Sequence, residues 1–153
     1  MNNPGKTMLH YIHRRSRDNA RTPMQWNQST NAGFSNQVPW LAVNPNYRTI
    51  NAEQALADPD SVYYFYQRLN QLRKAYPVIV YGDYTLLDPE DAQVYAYTRQ
   101  LNDEQLLVIS NFTAETVTRH FDLTDRELLI SNYSDAPQAQ LRPYETRTYY
   151  RRG

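Results

Sequence analysis

Cysteine is missing from all 153 residues, which removes disulfides and thiolate metal sites from consideration. Also missing is any block of like charge: sixteen basic and sixteen acidic side chains cancel, and no run of either sign could track a phosphate backbone or an anionic lipid surface. Nucleic acid and membrane are therefore not expected partners. The N-terminus lacks the apolar core of a secretion signal, so the expected setting is a soluble protein of the cytoplasm. Length sets a further limit. The chain can bury a real core but falls well short of the roughly 250 residues that a (β/α)8 barrel needs.

Tyrosine, by contrast, is abundant, with fourteen against four Phe. Tyr joins a large apolar ring to a hydroxyl that seeks a partner, which suits strands, interfaces and sugar sites alike. The pattern along the chain changes at Tyr76-Pro77, where Pro closes a helix, so the domains are read as 1–76 and 77–153. Asn2, Asn3, Pro4 and Gly5 favour a loop, and Thr7 to Ser16 is compatible with a short helix. Residues 17–50 hold Pro23, Gly33, Pro39 and Pro45 among many Asn, Gln and Ser, which describes an irregular excursion packed on something or serving a function. Asn51 with Gln54 reads as a capping box for a helix over 51–57, and Asp58-Pro59 as the start of a helix over 59–76. In that helix Val62, Phe65, Tyr66, Leu69, Leu72 and Tyr76 share one apolar face.

Beyond Pro77 the period falls to two. Val78 to Tyr81, Tyr84 to Leu87, Val94 to Arg99, Gln105 to Asn111, Thr116 to Phe121, Glu127 to Ser131 and Arg147 to Tyr150 read as short strands. They are separated by turn clusters at Gly82-Asp83, Asp88 to Asp91, Asn102-Asp103, Thr124-Asp125 and Ser134 to Pro137. Seven or eight strands in about 75 residues predict an antiparallel β-sandwich, because parallel crossovers need a dozen residues each.

Chemistry concentrates in Ser16-Arg17-Asp18-Asn19-Ala20-Arg21-Thr22-Pro23-Met24-Gln25-Trp26, where two guanidinium forks flank a carboxylate and an amide. Such forks suit a carboxylate or a sugar hydroxyl, and they equally suit knitting a loop to its neighbours; on the residues alone the two readings stand level. His10 and His13 share a helix spacing but have no third ligand or carboxylate beside them, so no metal is expected, and His120 reads as a surface side chain in a strand. Tyr95, Tyr97, Tyr149 and Tyr150 alternate in a way that fits either a sugar-stacking platform or, more commonly, a core and an interface.

The same Ser16–Trp26 run, followed by Asn31-Ala32-Gly33-Phe34-Ser35, Pro39-Trp40, Val43-Asn44-Pro45-Asn46-Tyr47 and Ile50-Asn51, resembles the segment after the eighth barrel strand of the oligo-1,6-glucosidases. Dextran glucosidase and trehalose-6-phosphate hydrolase are their relatives in the α-amylase superfamily. The likeness continues through Leu69 to Lys74, Val80-Tyr81-Gly82, Leu106 to Thr113 and Leu141-Arg142-Pro143-Tyr144-Glu145. It implies a mainly β chain: the irregular loop and last helix of a truncated (β/α)8 barrel, followed by the antiparallel C-terminal sandwich. A retaining mechanism is implied as well, run by a nucleophilic carboxylate, an acid/base carboxyl and a stabilising third, all on barrel strands upstream of the arginine segment. The sixteen residues before Arg17 hold no Asp or Glu, so no catalytic residue is expected in this chain.

By the same resemblance Arg17 is the substrate-binding residue, paired in the relatives with an acidic side chain from early in the barrel and holding the 4-hydroxyl of the terminal glucose. Arg21 and Trp26 are assigned to packing and loop fixation, and Met24 resembles the hydrolases rather than the sucrose isomerases, which tend to carry Phe there. No cofactor or metal is implied. The expected partners are the missing barrel domain and, in the full enzyme, short α-glucosides. The competing reading from another class is a free-standing carbohydrate-binding sandwich. Apolar residues left over, Phe65, Tyr66, Leu69 and Leu72 with Trp26 and Trp40, predict either a homodimer that exchanges 17–50 between chains or loss of order in the first third.

Overall fold

A computed structural model describes residues 4–135 and 139–153. Asn2 and Asn3, expected in a loop, and Ala136 and Pro137 of the expected turn after Ser134 lie outside the described residues. The chain divides into two compact units, Met1–Tyr64 and Phe65–Gly153.

The first unit contains helix α1 (Pro4–Arg15), three single 3-10 turns at Arg17–Ala20, Thr30–Gly33 and Pro45–Arg48, and helix α2 (Ala52–Ala57). Helix α1 starts three residues earlier than expected, taking in Pro4 and Gly5; Pro is well suited to a first helical position because its missing N–H has no partner there anyway. The irregular stretch is tied to itself by amide side chains. Gln25 Nε2 donates to Asn46 Oδ1 (2.9 Å) and to the Ile50 carbonyl, and Asn51 caps α2 through Oδ1 while its Nδ2 reaches the Tyr47 carbonyl. Asn31 Nδ2 spans to the carbonyls of Ser35 and Gln37. Main-chain bonds from Trp26 and Asn27 to Ala32, and from Ala52 and Glu53 to Gln25 and Trp26, close the loop on α2. This corrects the premise that 17–50 has little to hold it within its own chain; Asn and Gln, read as loop formers, are its cross-ties.

One turn of that loop is left-handed. Asn31, Ala32 and Gly33 have φ of 54°, 57° and 69°, and a Cβ on Gly33 would meet the Asn27 amide at 2.8 Å, so only glycine fits the third place.

Helix α3 (Val62–Ala75) begins later than the expected 59. Asp58 is not its cap: it ends α2, and its carboxylate accepts from Asp60 N, so Asp58 to Ser61 form a turn. The larger correction concerns Val78 to Tyr81, which form a one-turn helix, α4, and not a strand. Main-chain bonds run from Val80 and Tyr81 to the Pro77 carbonyl and from Gly82 to Val78. The open carbonyls of Val78, Val80 and Gly82 are then taken by the Arg99 guanidinium. A β-branched run becomes helical here because a tertiary arginine satisfies its end and Val78 is wholly buried. Gly82 is tight, since a Cβ there would lie 2.6 Å from the Val78 oxygen.

The second unit is antiparallel, as expected. Strands β1 (Asp83–Leu87), β2 (Val94–Leu101), β3 (Glu104–Asn111), β7 (Thr146–Arg152) and β5 (Glu127–Ser131) form one sheet in the order β1-β2-β3-β7-β5, and β4 (Val117–Thr118) pairs with β6 (Gln140–Leu141). The stretch expected as a strand from 116 to 121 thus shrinks to two residues and leaves His120 exposed beyond its end, while β6 was not anticipated. Period-two alternation splits the side chains between two cores. On one face Val94, Ala96, Leu107, Ile109 and Tyr149 pack with Val117 and Leu141 of the small ribbon. On the other Leu106, Val108 and Leu129 pack with Leu72 of α3 and Val78 of α4, with Tyr76 and Tyr150 beside them. The expected boundary at 76/77 therefore runs through a shared core of the second unit. Of the apolar face foreseen for α3, only Leu72 is buried.

Two polar knots close the ribbon side. Glu145 and Arg147 are fully buried and 2.8 Å apart, Arg142 adds a second guanidinium to Glu145, and Arg142 N donates to the same carboxylate at 2.7 Å. Asp91 takes both nitrogens of an Arg119 fork at 2.6 and 3.1 Å together with the Gln93 and Val94 amides. Those bonds, the Arg119 fork first, hold the Asp91 carboxyl well below the usual range. Burial alone would push Glu145 up, but the hydrogen bonds from Arg147 and Arg142 outweigh it and leave the carboxyl at about 2.

A carboxylate depressed on folding stabilises the fold above its unfolded pKa, near 4.5, and that contribution is lost as pH falls toward 2. Urea melts at pH 7, 4.5 and 2.5 should therefore show a falling midpoint. In Glu145→Gln the curve should start lower, by about 3–5 kcal/mol because a buried ion pair is broken, and should lose much of its slope below pH 4.5. A second expectation concerns the α4 exit: Gly82→Ala should destabilise by about 1–3 kcal/mol in the same melts, because the clash is with backbone.

Candidate functional site

The arginine segment is set by the end of α1. Asn19 Nδ2 donates to the carbonyls of Ile12 (3.2 Å) and His13 (2.7 Å), which would otherwise be open at the helix terminus. Ser16 caps the following 3-10 turn by accepting from Asp18 N, and Arg21 N closes it on the Asp18 carbonyl. Of the run Arg-Asp-Asn-Ala-Arg, then, the Asn builds the corner and the three charged side chains are free to point outward.

Arg17 is the most open of them, with 81 % of its side chain exposed. Its Nε lies 3.7 Å from Asp18 Oδ1, and Arg21 Nη1 lies 3.9 Å from the same oxygen. Neither contact is short enough to be a hydrogen bond, and Asp18 Oδ1, shut off from solvent, has no hydrogen-bond partner among the described residues. The cluster is an open pair of planar cations loosely balanced on one carboxylate. It keeps nearly all its donors for something else, a hydroxyl-rich or anionic group being the chemistry that fits. That free carboxylate oxygen was not singled out from sequence, where Asp18 read only as a spacer between arginines.

Trp26 does fix its loop, but through its backbone: its N–H donates to Ala32 and its carbonyl accepts from Glu53, while the ring stays half exposed. The ring borders a mainly apolar cleft of about 620 Å³ with Pro23, Met24, Ile50, Leu56 and Tyr63. Arg21 is exposed and packs little. His10 and His13 stay on α1, and among the described residues no three His, Cys, Asp or Glu side chains gather as metal ligands. No helix among them is long and apolar enough to cross a membrane.

The tyrosines separate by face. Tyr149 is buried in the ribbon-side core and Tyr150 packs edge-on against Tyr76 on the other side, so the four cannot form one platform. Tyr84, Tyr95 and Tyr97 remain together on the α4 side, with the hydroxyls of Tyr84 and Tyr95 2.8 Å apart; that bond, with burial adding to it, pushes the Tyr84 phenol up to about 12.

Comparison with known proteins puts these residues in context. Residues 2–82 match the alpha amylase catalytic domain and residues 94–147 the C-terminal domain of alpha-amylase SusG. The oligo-1,6-glucosidase of Parageobacillus thermoglucosidasius is 47% identical over 151 residues, covering 93% of this chain and 27% of that protein. The glucan 1,6-alpha-glucosidase of Streptococcus pneumoniae is 50% identical over 116 residues, covering 76% of this chain and 22% of that one. Among solved structures, Bacillus licheniformis trehalose-6-phosphate hydrolase superposes with a TM-score of 0.86 at 42% identity over 94% of this chain and 28% of its own. The trehalulose synthase of Pseudomonas mesoacidophila gives 0.86 at 42% identity, over 95% and 28%. The chain thus spans about a quarter of the length of the relatives it matches. With residues 2–82, more than half of its length, matched by the catalytic-domain model and residues 94–147 by a C-terminal one, the chain belongs to the alpha-amylase family.

Proposed function

We propose that this chain is the C-terminal portion of a retaining, exo-acting α-glucosidase that removes glucose from the non-reducing end of short α-glucosides such as isomalto-oligosaccharides. Residues 1–76 are the end of its catalytic barrel and 77–153 its C-terminal domain. The observation that carries the reading is the arginine segment: an exposed, nearly unpaired Arg17 fork at a corner built by Asn19, inside the stretch matched by the catalytic-domain model. A fork held open in this way supplies fixed donors to a sugar hydroxyl without having to be stripped of a strong partner first. The names of the relatives, oligo-1,6-glucosidase and glucan 1,6-alpha-glucosidase, support the linkage.

The nucleophile, the acid/base and the stabilising carboxylate belong to the part of the relatives' length that this chain does not span, so the chain alone carries no hydrolytic chemistry. Its partner is that remaining catalytic barrel. A second reading, a portion of a trehalose-6-phosphate hydrolase, is favoured by the 42% identical structure of that enzyme. Met24 speaks for a hydrolase over an isomerase.

The test is to place residues 1–153 in the matching stretch of the Parageobacillus thermoglucosidasius oligo-1,6-glucosidase. The joined protein should release glucose from isomaltose in preference to trehalose 6-phosphate, and this chain alone should release none from isomaltose or p-nitrophenyl α-glucoside. Arg17→Ala in the joined protein should lower kcat/KM by about 100-fold or more, equivalent to roughly 3 kcal/mol of transition-state stabilisation. Turnover by the chain alone that disappears on changing one of its own residues would refute the reading.

A further inference from the structure

The short turns of the second unit use the left-handed region at Asp88, Asn102 and Asp125, residues whose small polar side chains tolerate it. Tyr144 is the exception. It holds φ at 55°, where a large side chain is strained, and its ring is 62 % exposed, so the strained conformation gains little packing within the chain. The surroundings fix it there: Tyr144 N donates to the Thr113 carbonyl, its own carbonyl accepts from Asn132, and the next residue is the buried Glu145. Next to Thr113 stands Phe112, 68 % exposed, which meets Tyr95 edge-on, and Tyr95 is in turn hydrogen-bonded to Tyr84. Exposed aromatic rings therefore run from Tyr84 through Tyr95 and Phe112 to the backbone that seats Tyr144.

We propose that this row is the surface on which the C-terminal sheet receives the rest of the catalytic barrel. The inference rests on the functional reading above and names the contact through which it would be assembled. Two observations select the occupant. The chain spans about a quarter of its relatives' length, so a protein body roughly three times its size belongs beside it, and half-exposed Tyr and Phe rings at fixed positions are what the core of a protein interface uses. Against a sugar, the rings are not coplanar: Tyr84 and Tyr97 are tilted by 39°, Tyr95 and Tyr97 by 53°, and Tyr95 and Phe112 by 84°, so no flat shelf is offered to a pyranose. Tyr144 is then a ring held out in advance, its strain relieved by nothing until a partner packs on it.

The test compares the full chain alone with the same chain in the joined glucosidase, by thermal melts of Phe112→Ser and Tyr144→Asn. Phe112→Ser should leave the chain's Tm unchanged and lower that of the joined protein by about 2 °C or more. Tyr144→Asn should raise the chain's Tm, because Asn accepts the left-handed region, yet lower that of the joined protein; this opposite sign is a result that a purely structural role would not produce. Equal shifts in both proteins would overturn the docking surface while leaving the isomaltose activity to stand for the functional reading. A joined protein that folds without hydrolysing isomaltose would sink that reading and still allow the melts to be compared; one that fails to fold overturns both. Light scattering that finds the chain a dimer made monomeric by Phe112→Ser, or isomaltose binding to the chain that this variant abolishes, would assign the row to a second copy or to sugar and overturn the proposal.

Discussion

At the centre of the second unit lies a carboxylate with no access to water. Removing a charge from solvent costs several kcal/mol unless its lone pairs are filled, and Glu145 has them filled by the Arg147 fork, the Arg142 fork and the Arg142 amide. Arg147 sits on β7, while Arg142 and Glu145 belong to the turn between β6 and β7, so satisfying the charge fixes how the ribbon meets the sheet. The Glu145 carbonyl accepts from Asn111 N, and the Asn111 amide donates to the Glu115, Leu141 and Arg142 carbonyls. One residue at the end of β3 thereby ties together both sides of the ribbon. An apolar core would tolerate sliding of these short strands; a buried carboxylate that needs all its donors tolerates almost none.

The same constraint explains which parts of the fold were legible in the sequence. Strands β2, β3, β5 and β7 alternate apolar residues over five to eight positions, and their two faces could be read directly; Leu106 and Leu107 fall into different cores as period two requires. The strand β6, with only Gln140 and Leu141, carries no periodic signal and exists because the Glu145 knot and the Asn111 amide hold its backbone. Val78 to Tyr81 failed for the opposite reason. Their propensity for strand is high, but a helical turn lets Val78 enter the core and hands the end of the turn to Arg99, twenty-one residues away from Val78. Tertiary partners at such separations leave no local trace.

In the first unit almost nothing is periodic, and order comes from single amides. Gln25, Asn31 and Asn51 each bridge segments, and a reading that counts Asn and Gln as loop formers sees the loop and not its ties. The site shared that fate. That Arg17 would matter followed from the resemblance; that its fork would stand open, with Asp18 too far for a hydrogen bond and Asn19 spent on the end of α1, depends on geometry the residue types do not encode.

The two units also differ in how their exposed apolar groups are held, and this difference bears on what surrounds them. In the first, Trp26 and Met24 flank a cleft whose walls come from the hydrogen-bonded loop and α2, so the surface is shaped before anything fills it. In the second, the exposed rings stand on a sheet whose other face is closed by the ribbon, and the Tyr144 ring is set by a turn that the Glu145 knot will not let relax. A protein normally uses Gly or Asn where the backbone is left-handed, and this chain does so at its other turns. Where a bulky exposed ring occupies such a place instead, the strain is sustained by the neighbouring buried charge. The rigidity of the ion pair and the position of the ring are thus parts of one device.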